Sequence, residues 1–201
     1  YDFYTDRPYL LAYTTHHLGN RSRVFYRSSA QEWLDEKKQC KDQGNPAISQ
    51  SPVAMPVVSR QTQHDEINDS TLKRRFSYRQ AYYNAVERAF QGFGLILQTD
   101  TETAADGATQ TRRLTKRWFH TGQALDMPVA GYSQHDLQAI SLGKTLLCSY
   151  QAPGQAHPTD HNDVQLPAPT PETLDDAAYA LKGVLLREEI FADDAAQNVP
   201  Y

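Results

Sequence analysis

His157, Asp160, His161 and Asp163 put two imidazoles and two carboxylates close together, a donor set able to hold a divalent ion. They sit among Pro153, Pro158, Pro167 and Pro169, with no cysteine partner and no HExxH-like helical spacing. A solvated loop accounts for them, and no metal ligand is assigned. His16 and His17 are adjacent in an extended arm and point to opposite faces, so they cannot line one site. His120 ends a strand after Trp118-Phe119, where a general base could work. No GxSxG elbow supplies a nucleophile and Cys148 lacks a protease signature, so His120 reads as packed or hydrogen-bonded.

Gly92-Phe93-Gly94 invites comparison with phosphate-binding loops, but neither GxGxxG nor GxxxxGK surrounds it. Its glycines fit a bulge or a close backbone approach. Arg112, Arg113, Lys116 and Arg117 form the densest basic cluster, yet a strand divides them between two faces. With a net charge of −4, the chain opposes polyanions, and a salt-bridged shell or subunit contact is the favoured reading over nucleic acid. Asp35-Glu36, Asp65-Glu66, Asp175-Asp176 and Glu188-Glu189 are adjacent, not spaced as catalytic carboxylates are, and read as solvated faces. Cys40 and Cys148 are too few for a disulfide framework and read as free thiols. No catalytic residue and no cofactor site is assigned.

The elements around these residues are mostly extended. The chain has 201 residues, 39% hydrophobic and 22% charged, with twelve Tyr. Low hydropathy with many aromatics favours sheet, where Tyr suits a half-wet pleated face. No apolar run approaches the roughly 20 residues that span a bilayer, so no membrane insertion is expected. Tyr1 to Pro8 lacks the basic start and apolar stretch of a signal peptide and reads as a chain cut from something longer.

Leu10–Leu18 and Arg21–Arg27 form a predicted hairpin around the two-residue reversal Gly19-Asn20. Ser29 and Glu32 match a capping box, starting a helix anchored by Trp33 and Leu34. Gly44-Asn45-Pro46 follows as a breaker, and Ala47–Pro56 as a loop. Val57–Ile67 and Leu72–Tyr78 form a second hairpin around Asn68-Asp69-Ser70, with Leu72, Arg74, Phe76 and Tyr78 on one face. Phe93–Thr99 and Arg112–His120 are further strands, joined by a polar segment turning at Asp106-Gly107. Later, Thr170 as N-cap, Pro171 at the first position, and Leu174, Ala177, Ala178 and Leu181 at helical spacing predict a helix ended by Gly183. Val184–Phe191 follows as a strand. The organisation is thus 1–122, rich in β-hairpins; 123–169, an irregular Pro-rich excursion; and 170–201, a helix followed by a strand.

Taken in order, Arg7-Pro8-Tyr9-Leu10-Leu11, Tyr26-Arg27-Ser28-Ser29 and Trp33-Leu34-Asp35-Glu36-Lys37 resemble the middle region of insecticidal toxin complex (Tc) B components. The resemblance extends through Val57-Val58-Ser59-Arg60, Tyr78-Arg79-Gln80-Ala81-Tyr82-Tyr83 and Glu87-Arg88-Ala89-Phe90-Gln91-Gly92-Phe93-Gly94. It continues in Lys116-Arg117-Trp118-Phe119-His120-Thr121-Gly122 and in Ala180-Leu181-Lys182-Gly183-Val184-Leu185-Leu186-Arg187. It implies a mainly β segment, antiparallel hairpins with a few short helices, belonging to a larger Rhs-like hollow β-shell of the TcaC/TcdB, SpvB-related type. It implies a secreted, non-enzymatic part that joins a C component to enclose a cytotoxic cargo. Another region of the parent would dock on the A-component pore.

Mixed strand faces agree with a wall wet on both sides. Its core is expected where Trp33 and the later helix cover the sheet. Two other classes remain open from the residues alone: a glycan- or receptor-binding β module using exposed Tyr and Trp, and a metal-dependent hydrolase built on His157, Asp160 and His161.

Overall fold

The computed structural model describes residues 9–42, 44, 49–109, 112–123 and 170–192. The proposed ion ligands His157, Asp160, His161 and Asp163, and Cys148, lie outside the described residues. Strands β1 (Tyr13–His16), β2 (Asn20–Ser28), β3 (Pro56–Asp65), β4 (Ser70–Asn84), β5 (Ala89–Thr103), β6 (Arg113–Phe119) and β7 (Leu185–Ala192) form one seven-stranded sheet. Every neighbouring pair is antiparallel and the spatial order follows the sequence. Helices α1 (Ser29–Asp42) and α2 (Pro171–Ala180) complete the described elements.

The turns explain this simple order. At the first hairpin the reversal takes three residues, not the expected Gly19-Asn20 pair. His16 pairs with Asn20, and Gly19 closes the turn at φ +80° with its N–H donating to His16 O at 3.1 Å. Glycine supplies the left-handed position that such three-residue loops require. β1 is also shorter than the expected Leu10–Leu18 arm. At the second hairpin Asp65 accepts from the Ile67 N–H at 2.9 Å and from Asn68 Nδ2 at 2.7 Å. Those bonds hold the exposed Asp65 carboxyl below its ordinary range, the Ile67 backbone contact foremost.

A third hairpin is longer than the sequence reading allowed. β4 runs on to Asn84 and β5 starts at Ala89, around a turn in which Asn84 Oδ1 accepts from the N–H groups of Val86 and Glu87. Gly92 lies inside β5 at φ +117°, where the register shifts and Gln91 is the extra residue opposite Tyr82 and Tyr83. This bulge is the reading that the Gly92-Phe93-Gly94 spacing favoured. Gly94 makes the close approach: a Cβ there would lie 2.5 Å from Gln80 Oε1.

α2 begins as expected, with Thr170 Oγ1 accepting from the Thr173 N–H at 3.2 Å and Pro171 in the first turn. Ala178 is fully buried. Gly183, at φ +81°, donates to His120 O at 2.8 Å, and His120 N–H donates to Val184 O at 3.0 Å. The chain thereby returns to lay β7 beside β6, Lys116 opposite Glu189.

The main apolar cluster is not under Trp33. It centres on Leu95 and Trp118, with Leu97 and Leu186 packed against them, on β5, β6 and β7. Trp33 is half-buried and carries the Lys37 ammonium 5.1 Å from its ring centre. Trp118 wins because it occupies an interior strand flanked by β5 and β7, whereas Trp33 sits on a helix whose outer face is wet.

Candidate functional site

Glu32 is the most buried carboxylate among the described residues, at 2% exposure. Its spacing from Ser29 suggested a capping box, and the structure corrects this. Ser29 Oγ instead accepts from the Met55 N–H at 3.0 Å, while the Ser29 N–H donates to Met55 O at 2.8 Å. The first turn of α1 is thus stitched to the segment entering β3. Glu32 turns inward: Oε1 accepts from Arg27 Nη1 at 3.0 Å, and Oε2 from the Tyr78 N–H at 3.0 Å and Arg79 Nη1 at 3.4 Å. One carboxylate therefore joins α1, β2 and β4. Tertiary partners of opposite charge outcompete a local backbone donor, because charge-assisted bonds are the stronger ones.

Glu36, one turn later, accepts the Gln80 N–H at 3.0 and 3.2 Å. That bond fixes Gln80 at φ +57°, a kink in β4 that a non-glycine residue adopts only when held. Beneath it the Tyr78 hydroxyl donates to Val58 O at 2.9 Å. Burial first, and the Glu32 charge second, push the Tyr78 phenol up to about 12. A raised phenol favours the protonated folded state, so its contribution is complete below the ordinary Tyr range and is lost as pH climbs from about 10 to about 12. Stability measured across that interval falls more steeply in the wild type than in Tyr78→Phe; parallel curves would contradict this assignment. Cys40, a buried free thiol at the end of α1, is likewise pushed up, chiefly by burial.

The basic cluster near β6 resolves as its alternation required. Arg113 and Arg117 share one face. There Arg113 Nη2 donates to Asp100 Oδ2 at 2.6 Å, Gln98 Nε2 to Asp100 Oδ1 at 2.8 Å, and Arg117 Nη1 to Gln98 Oε1 at 2.7 Å. Arg117 also bonds Glu188. A continuous polar chain thus crosses β5, β6 and β7. On the opposite face Lys116 is buried, its ammonium 4.9 Å from the Phe191 ring centre, and Arg187 lies 5.4 Å from that of Trp118 while pairing with Glu189.

The adjacent carboxylates therefore differ from the expected solvated faces. Asp35 pairs with Arg27 at 2.6 Å, Glu66 with Arg21, and Glu188 with Arg117, while Glu189 is buried. Asp175 and Asp176 are exposed. The missed signal was register: in an antiparallel sheet an acid directly opposite a base is an ion pair, and sequence alone does not align the strands.

His120 is 1% exposed, and its Nδ1 accepts from the Gly122 N–H at 2.9 Å, the packed, hydrogen-bonded state its position favoured. His16 closes β1 and His17 lies in the turn, both exposed. Among the described residues no three His, Cys, Asp or Glu side chains converge as metal ligands. No described helix is long and apolar enough to cross a membrane. What the arrangement does physically is brace a sheet: two charged networks, one at each end, fix strand register and the seat of α1.

The family model for the insecticide toxin TcdB middle/N-terminal region matches residues 3–122. Among solved structures, a crystal structure of TcdB2-TccC3 resembles the chain with TM-score 0.70 at 29% identity, covering 96% of this chain and 9% of that one. The same complex without its hypervariable C-terminal region gives TM-score 0.72 at 29% identity, with the same 96% and 9% coverage. A structure of the Photorhabdus luminescens Tc holotoxin pore also gives TM-score 0.72 at 29% identity, again covering 96% and 9%. No curated protein matches the chain. The chain spans about 9% of the length of the solved chains it matches.

Proposed function

The chain belongs to the insecticide toxin TcdB middle/N-terminal region family, and on that footing we propose that it is a wall segment of a Tc toxin B component. In this reading it helps form the Rhs-like shell that a C component completes around a cytotoxic cargo. A different region of the parent engages the A-component pore. The assembly is secreted and acts outside the producing cell, and this segment performs no catalysis itself. The division into 1–122, 123–169 and 170–201 is kept as its working organisation. The excursion separates strands that nonetheless pair as β6 and β7.

The observation that carries this reading is likeness over 96% of the chain to a B component solved together with TccC3. The sheet's construction supports it. Consecutive strands without crossovers extend a wall strand by strand, and outer strands β1 and β7 can accept further strands. The braced charges suit a wall wetted on both sides, where apolar burial alone is small.

The test is assembly. Full-length parent coexpressed with its C component should copurify as a closed hollow particle by electron microscopy, with this segment resolved in the wall. Copurification without a closed shell, or a shell in which the segment hangs outside the wall, would refute the assignment.

A further inference from the structure

Strand register gathers an uncompensated cationic face on β1 to β4. Arg23 lies opposite Tyr13 and Thr62, Thr62 opposite Lys73, Phe25 opposite Arg60, and Arg60 opposite Arg75. Residues directly opposite share a face, so Arg23, Arg60, Lys73 and Arg75 project together, with Arg21 and His64 one row further along. Arg21, Arg23, Lys73 and Arg75 are all exposed. No Asp or Glu from these four strands stands on that face. The nearby acids are Glu66, which pairs with Arg21, and Asp69, 3.8 Å from His64, in the turn at one border, and Glu32 and Asp35 of α1, which pair with Arg27 at the other end of β2. Among the described residues, Arg23, Arg60, Lys73 and Arg75 have no carboxylate partner.

Two explanations internal to the fold fail. Charges that guard a sheet edge against aggregation belong on the outermost strands, yet Arg60, Lys73 and Arg75 lie on interior strands. Packing does not require them either, since like charges directly opposite, as Arg60 and Arg75 are, disfavour pairing. Two guanidiniums are nevertheless held in place, Arg60 3.9 Å from the Phe25 ring centre and Arg23 5.9 Å from that of Tyr13. Stacked guanidinium planes keep their forked donors free for a carboxylate.

We propose that this face is a docking surface for an acidic, partly apolar polypeptide segment. Its extent, about 15 Å across four strands, suits a short segment. The half-exposed rings of Tyr13 and Phe25 offer apolar contact between the charges. A long polyanion would run beyond the patch into a chain whose net charge is −4, which disfavours nucleic acid and sulfated glycan. The surface stands whether or not the segment is part of a shell, because it needs only this sheet.

The probe is a short labelled peptide of alternating Glu and Leu, titrated into the full-length parent by fluorescence anisotropy. The same peptide with Gln for Glu, heparin and a single-stranded oligonucleotide are compared with it. The acidic peptide should bind with an affinity that falls as salt rises, and Lys73→Glu/Arg75→Glu should weaken it by about tenfold or more. That reversal places an acid opposite Arg60 and so favours strand pairing; Lys73→Gln/Arg75→Gln provides a second, milder loss. No binding of the acidic peptide, equal binding of the Gln peptide, unchanged affinity in both variants, or tighter binding of heparin or oligonucleotide would overturn the proposal.

Discussion

Glu32→Ala is expected to destabilise the sheet by about 3–5 kcal/mol, the range for removing one partner of a buried ion pair. The deletion strands Arg79, whose side chain is 14% exposed, and leaves the Tyr78 N–H without its acceptor. Arg27 suffers less, being 34% exposed and still paired with Asp35. Arg27→Ala should therefore cost no more than about 1 kcal/mol, as solvent-screened pairs do. Because Glu32 joins three elements, its loss should show in hydrogen exchange of the parent as faster exchange in 29–42 and at Tyr78 and Gln80. Exchange at β6 and β7 should change much less. The double variant Glu32→Ala/Arg79→Ala should cost less than the sum of its singles, since the arginine no longer sits beside an empty position. A Glu32→Ala protein that keeps wild-type protection in α1 would show that the helix is seated by something else.

Trp118→Ala should be comparably damaging, about 3–5 kcal/mol, because a large side chain at 1% exposure leaves a cavity that β-sheet neighbours cannot close. Leu95, Leu97 and Leu186 lose their packing partner, and Arg187 loses the ring beneath its guanidinium. Trp118→Phe provides the informative contrast. The indole Nε1–H is buried with no acceptor among the described residues, so replacing it removes an unsatisfied donor together with part of the ring. The expected cost of Trp118→Phe is under about 1.5 kcal/mol, near that of a conservative core swap. Local hydrogen exchange at β5–β7 in the full-length parent separates the cases. Equal losses for Phe and Ala would mean that the indole nitrogen does contribute.

The elements with local signals were legible in the sequence. Gly19 and Asp106-Gly107 mark turns because their backbones or side chains favour reversal, and period-two alternation assigned Leu72 to Tyr78 to its faces; the second turn, expected around Asn68-Asp69-Ser70, lies at 66–69 because the Asp65 side chain ends β3 there. Thr170-Pro171 fixed the start of α2 for the same reason. The third hairpin was less visible because its turn contains neither Gly nor Pro; it relies on Arg88 at φ +52° and on the Asn84 side chain. Asn84 is the one local cue that could have revealed it. Glu32 was misread because its spacing satisfied a local rule, whereas its partners Tyr78 and Arg79 are distant in sequence. Salt bridging was expected for the basic cluster that includes Arg113 and Arg117, but its acids Asp100 and Glu188 were not, Glu188 being read as a solvated face, because register depends on turns and bulges far from the charges.

The unbroken neighbour-to-neighbour strand order has a consequence for how the sheet is made. β1 through β6 can each pair with the strand just synthesised; the connections are short hairpin or loop segments except between β2 and β3, where α1 lies in the connection, so this part has low contact order and can zip up as the chain emerges. β7 is different, since Phe119 must find Leu185 across a long intervening stretch. Loop-closure entropy grows only logarithmically with length, so that stretch can vary greatly in size at small thermodynamic cost. It sets the tempo instead. The six-stranded meander should form early and expose its β6 edge until β7 arrives, making that last pairing the step at which a slow or crowded chain is most exposed to misassembly.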